Sequence, residues 1–146
     1  MSHWLYKGKI LKEAPEECFG FVYLITNIKS GKKYIGRKYF GTTRRVKVAG
    51  KKRRKVIRKD SNWREYTGSS KLLNKDIEKL GKDNFRFEIL IFGETKGQVN
   101  YLEENLHHRF HVSSKSEYYN DCIGPRRFAK VKFTKGIETQ INEIKL

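Results

Sequence analysis

Apolar and polar positions alternate in two short stretches near the start of the chain. In FGFVYLITN, residues 19–27, Phe21, Tyr23 and Ile25 fall on one face and Val22, Leu24 and Thr26 on the other. Its β-branched and aromatic content predicts a strand, and two apolar faces place it in the interior of a sheet. IKSGKK supplies a turn, with Gly31 as the residue needing positive φ, and KKYIGRKYF returns as a second strand to make an antiparallel hairpin. Tyr34, Gly36 and Lys38 share one face of that second strand. The period then changes. SSKLLNKDIEKL, residues 69–80, spaces Leu73, Ile77 and Leu80 for a helix, with a serine to cap its start and Gly81 just past its end. FRFEILIF, residues 85–92, has strand composition, and KGQVNYLEENLHHRFH, residues 96–111, returns to helical spacing through Val99, Leu102, Leu106 and Phe110. This order predicts an α+β domain in which helices flank a three-stranded antiparallel sheet. The length fits a single domain over residues 1–146, with a core over about 18–122 and appendages at 1–17 and 126–146.

Charge adds a partner to this outline. The chain carries a net charge of +17, which would repel itself in a compact state unless a polyanion is at hand. Nucleic acid is the leading partner and an anionic membrane surface the second. No apolar run is long enough to span a membrane, and MSHWLYKGKI lacks the hydrophobic block of a signal peptide, so the cytoplasm is the expected location. Cys18 and Cys122 form no CxxC pair and no disulfide framework. The excess charge is local: residues 37–64 hold thirteen Lys and Arg against one acid, Asp60. Its centre, residues 44–59, reads as a basic insertion, either a mobile loop or a loosely held hairpin. Within and beside it, Arg37, Lys51, Lys52, Arg53, Arg54 and Lys55 are candidate phosphate contacts. The alternative is a solvated basic loop, and KKRRKV also has the composition of a nuclear import signal.

One acid stands out on the second helix. At 100° per residue, Glu103 falls within the apolar face beside Val99 and Phe110, whereas Glu104 lies well off it. An acid on that side costs stability unless a cation or a hydrogen bond compensates it, and a divalent metal is one such compensation. Outward snorkelling from the edge of the stripe is the other reading. His107 and His111 are one turn apart, but no cysteine or third acid recurs with them, so solvated or DNA-facing histidines are expected.

The pair GFVY at 20–23 and YIG at 34–36, eleven residues from tyrosine to tyrosine, resembles the signature of the GIY-YIG nuclease family. YLEENL and YYND follow in the order in which that family places a helical carboxylate and a later asparagine. The basic insertion and the WREYTGSS stretch resemble small phage-encoded members, which would work in the host cytoplasm. The resemblance implies a DNA endonuclease, acting on double-stranded DNA, with Tyr23 as general base and Tyr34 positioning water or phosphate. It implies Glu103 as ligand of a Mg2+ or Mn2+ ion, and Asn120 as the late asparagine. The family's arginine has two candidate counterparts: Arg44, eight residues beyond Gly36, and Lys38 on Tyr34's own strand face. A tyrosine can act as base only where neighbouring positive charge favours its phenolate, and Lys33, Arg37 and Lys38 are close in sequence. The competing reading is a non-catalytic basic nucleic-acid-binding protein with structural tyrosines. Glu103 separates the two, because phosphate binding gains nothing from an acid there. Oligomeric state and DNA site are open.

Overall fold

The computed structural model describes residues 2–53, 55–121 and 136–146. The expectations for Arg54 and Cys122 lie outside the described residues. The chain forms β1 (Leu5–Tyr6), β2 (Lys9–Ile10), β3 (Gly20–Asn27), β4 (Lys33–Tyr39), β5 (Gly41–Val46) and β6 (Lys55–Asp60). It continues through α1 (Lys71–Leu80), β7 (Phe85–Gly93), α2 (Lys96–Arg109) and α3 (Ile137–Glu143).

The main sheet has five strands in the order β2-β1-β7-β3-β4. The expected three-stranded antiparallel sheet is its β7-β3-β4 part, and the correction comes from the first ten residues. There β1 pairs parallel with β7 and antiparallel with β2, which makes the sheet mixed. Strands of two residues carry no readable alternation, so periodicity could not reveal them. Trp4, just before β1, is fully buried, and its indole N–H donates to the Trp63 carbonyl at 2.6 Å. The opening segment is therefore part of the core.

Inside the sheet, β3 pairs antiparallel on both sides, as its two apolar faces require. Val22 pairs with Ile91 and Tyr23 with Ile89, so Leu90 is the extra residue of a β-bulge. That extra residue sends Ile89 and Ile91 to opposite sides. Ile89 joins Trp4, Phe21, Tyr23, Trp63 and Leu73 in one core; Ile91 joins Val22, Leu24, Ile35, Leu102 and Leu106 in the other. The first core is closed by α1, whose Ser70 caps the Leu73 N–H and which ends at Gly81 with φ of 90°. The second is closed by α2 and by Ile137 and Ile141 of α3.

Strand β4 is an edge of this sheet, and the insertion grows from its end. β5 and β6 form a separate antiparallel pair in continuous register, from Gly41 opposite Asp60 to Val46 opposite Lys55. Gly50, with φ of 79°, lies in the turn between them. The insertion is thus a registered hairpin.

Candidate active site

Tyr23 on β3 is the cross-strand partner of Gly36 on β4. Its phenol lies across the glycine: a Cβ at position 36 would stand 2.6 Å from Tyr23 Cζ and 2.9 Å from Tyr34 Cε1. Only a residue without a side chain lets the two tyrosines, with ring centroids 6.1 Å apart, share that face. The chain between β6 and α1 covers them. Gly68, with φ of 87°, passes so closely that a Cβ there would be 3.2 Å from Tyr23 Oη. Tyr34 Oη hydrogen-bonds Ser69 Oγ at 3.2 Å, and Tyr66 sits edge-on to Tyr23 at 6.3 Å.

The other half of the site reaches the same cleft from the opposite face of the sheet, around the edge strand. Thr95 caps α2 by accepting from the Gln98 N–H. The helix buries Val99, Leu102, Glu103, Leu106 and His107 against β3 and β4. Glu103 is 4% exposed, as the helix-face reading requires; Glu104 points away from that face and its side chain is 19% exposed. Arg37 Nε donates to Asn100 Oδ1 at 2.7 Å and stands 3.8 Å from Glu103 Oε1, an ion-pair separation beyond hydrogen-bond length. Tyr39 Oη donates to the same Asn100 oxygen at 2.5 Å.

The edge of β4 is closed by the segment after α2. Lys33 N–H donates to Glu117 O at 2.8 Å, and Tyr119 N–H donates to Lys33 O at 2.7 Å. Asn120 then replaces backbone with side chain: its Oδ1 accepts from the Ile35 N–H at 3.1 Å and its Nδ2 donates to the Ile35 carbonyl at 2.8 Å. His107 Nε2 donates to that carbonyl as well, at 2.8 Å, and lies 4.0 Å from Glu103 Oε2. Both polar ends of the Asn120 amide are therefore used in holding the strand.

The result is a cleft of about 590 Å³ that brings together Tyr23, Tyr34, Arg37, Glu103, His107 and Asn120. Lys38 lies beside it, its Nζ 4.1 Å from the centre of the Tyr66 ring, and burial lowers its amine from the ordinary value. Arg44 belongs to β5, a strand of the separate hairpin rather than a helix. Lys51, Lys52 and Arg53 are exposed in the hairpin turn, and Lys55 opens β6. Tyr66, Ser69, Asn100 and His107 were not singled out from sequence as site residues. His107 carried a signal, since it lies four positions after Glu103, one turn along the helix.

Electrostatics corrects one part of the sequence reasoning. Burial is the largest factor on Tyr23 and pushes its phenol well above the ordinary tyrosine range; Tyr34, Tyr66 and the Glu103 charge push the same way. Arg37 opposes them without prevailing. Burial also raises Tyr34, and the Ser69 hydrogen bond pulls it back in part. At rest, Tyr23 keeps its proton.

As a metal site, the described residues of the cleft offer one buried carboxylate and neutral oxygen donors. Among the described residues no three His, Cys, Asp or Glu converge on one point. That donor set fits a hard cation such as magnesium, which takes one or two carboxylates and completes its shell with water and phosphate oxygens.

A paired-tyrosine hairpin, a buried helical glutamate and an asparagine clip on one edge strand define a nuclease fold, and the chain belongs to the GIY-YIG nuclease family. The family model that matches it is described as putative endonuclease segE, GIY-YIG domain, and spans residues 4–123, from Trp4 to just past the Asn120 clip. No curated protein and no solved structure matches the chain.

Proposed function

We propose that this protein is a divalent-metal-dependent endonuclease that hydrolyses phosphodiester bonds in duplex DNA. The reading rests on one observation above all: a nearly fully buried acid, Glu103, opens into the same cleft as the paired tyrosines. A protein that only bound phosphate would gain nothing from a negative charge there.

The residues divide the work as follows. Glu103 would hold the cation, Mg2+ or Mn2+, with water and substrate oxygens as its remaining partners. Once bound, the ion supplies Lewis acidity at the scissile phosphate and its leaving oxygen. Tyr23 Oη would accept the proton of the attacking water as phenolate, its resting proton having passed to solvent through the cleft once the bound cation offsets the burial and the Glu103 charge that hold it. Tyr34 Oη, tethered by Ser69, orients that water or a phosphate oxygen. Arg37, fixed by Asn100, presents positive charge to the phosphate, and Lys38 adds a second cation at the rim. Asn120 and His107 hold Ile35, and so keep the strand between Tyr34 and Arg37 from shifting. The segE description, together with the resemblance to small phage-encoded members, supports a phage origin and action in host cytoplasm.

The test is incubation of purified protein with supercoiled plasmid, with magnesium and with EDTA. Nicked or linear product in magnesium alone is expected. Tight binding without cleavage across several DNAs and metals would overturn the reading in favour of a binding protein.

A further inference from the structure

Apart from Arg44, the β5–β6 hairpin carries no residue assigned to the chemistry, and it is too regular to be a filler loop. Six pairs in unbroken register, from Gly41↔Asp60 to Val46↔Lys55, make a two-stranded ribbon. At 3.3–3.4 Å per residue, such a ribbon is about 20 Å long. The backbones of its two strands lie chiefly against each other. An isolated ribbon is marginally stable in water, so a surface that supports it is to be expected.

Its composition names that surface. Residues 41–60 contain ten Lys and Arg and one acid, Asp60 at the root. The described turn residues Lys51, Lys52 and Arg53 are exposed. Its root is anchored to the cleft on both sides. β5 starts two residues after β4 ends, and the Ser61 N–H donates to Phe40 O at 2.9 Å while its hydroxyl donates to Tyr39 O at 2.6 Å. The incoming leg thus continues from the strand that carries Tyr34 and Arg37. The outgoing leg leads to Trp63, Tyr66 and Ser69. A substrate seated in the cleft is therefore reached by a basic arm of defined direction.

We infer that the β5–β6 hairpin is a recognition arm that lies in the major groove of the duplex whose backbone occupies the cleft. This rests on the DNA-endonuclease reading above. Two strands 4.7–4.9 Å apart, with their side chains, fit a groove about 12 Å wide without deforming the duplex, whereas one about 6 Å wide would first have to be opened at a cost in DNA bending and unstacking. The root of the arm is five residues from Gly36 along extended chain, about 17 Å or half a turn of B-DNA. The arm therefore engages base pairs displaced from the cut phosphate, on one side of it.

The register supplies a clean variant. Thr42 and Lys59 are cross-strand partners, so replacing residues 43–58 by Asn-Gly closes the ribbon with a two-residue turn and leaves its root intact. Binding to a fluorescent duplex is measured in EDTA, which reads the arm independently of cleavage. The trimmed protein is expected to bind at least about tenfold more weakly. Its slope of log affinity against log salt should be shallower by about 0.9 for each phosphate that the missing arm would have neutralised. Intact protein should be displaced by the major-groove ligand methyl green and not by the minor-groove ligand netropsin. Should trimming impair folding on thermal melting, the triple variant Lys51→Gln, Lys52→Gln, Arg53→Gln replaces it. Neutralising Lys7, Lys9 and Lys12 at the far edge controls for bulk charge. Unchanged affinity and salt slope in both arm variants, an equal loss in the control, or displacement by netropsin alone would each overturn the proposal. Failure of plasmid nicking with these binding results intact would instead count against the nuclease reading.

Discussion

Replacing Gly36 by alanine adds one methyl group at the most crowded point of the cleft. The new Cβ would stand 2.6 Å from Tyr23 Cζ and 2.9 Å from Tyr34 Cε1, with Tyr23 Oη its nearest neighbour. Carbon pairs rest at about 3.5–4.0 Å, so relief needs roughly 1 Å of ring movement. Tyr23 is 1% exposed and its ring packs against Trp4 at 4.8 Å and Phe21 at 6.0 Å, so it has nowhere to retreat. Overpacking of this kind costs about 1–3 kcal/mol, or roughly 2–12 °C in Tm for a chain of this size. Gly36 has no positive φ, so the cost is steric. Displacing the Tyr23 hydroxyl by roughly 1 Å should slow cleavage about a hundredfold. Single-turnover nicking well below the variant's Tm separates this from unfolding. In a Tyr23→Phe background, where the nearest atom is gone, the stability cost of Gly36→Ala should shrink. Native Tm and native rate in Gly36→Ala would refute the close approach of phenol and strand.

Tyr23→Phe keeps the buried ring and removes the hydroxyl, so the melt should hold while the single-turnover rate falls about a hundredfold or more; a native rate would end the general-base role. Glu103→Gln should abolish cleavage and leave duplex binding equal or tighter, whereas Glu104→Gln should change neither by more than a few-fold, and the reverse pattern would refute the helix-face argument. His3 is lowered to about 4, chiefly by burial, and its Nε2–H donates to Tyr66 O while its Nδ1 is buried without a hydrogen-bond partner. Below its ordinary value of 6.5 the unfolded chain binds a proton that the folded one refuses, so stability is full above about pH 6.5 and falls toward pH 4. His3 is only partly buried, so the screened loss is on the order of 1–2 kcal/mol. Thermal melts of wild type and His3→Phe across that range should show a steeper fall toward low pH in wild type, and equal slopes would refute the assignment.

The parts of this molecule that could be read in sequence are those whose partners are near in the chain or whose period is long enough to count. β3, β4, β7, α1 and α2 all exceed that threshold, and the stripe through Val99, Leu102 and Leu106 was enough to separate buried Glu103 from the less buried Glu104. The matching tyrosine motifs led to the cleft. What escaped was set by contacts across long separations. Trp4 finds its carbonyl at Trp63, and Asn120 finds its backbone partner at Ile35, 85 residues away, and neither has a local pattern to betray it. Tyr66 sits in irregular chain, where no period exists to assign a face. The charge argument on Tyr23 failed for a physical reason: sequence shows which cations are adjacent, and burial, which outweighed them, is a property of the packed fold.

The clip at Ile35 also sets when the cleft can exist. Its two tyrosine strands are made early, yet the groups that fix the outer edge of β4 come from residues 117–120. During synthesis, at roughly 5–20 residues per second, the hairpin emerges several seconds before its lock. Until then β4 has a bare outer edge and the cleft lacks Tyr119 and Asn120. On the proposed nuclease reading, a cell making this protein thus meets a complete cleft only once nearly the whole matched domain has left the ribosome, and a chain truncated before Tyr119 should fold poorly and fail to nick plasmid.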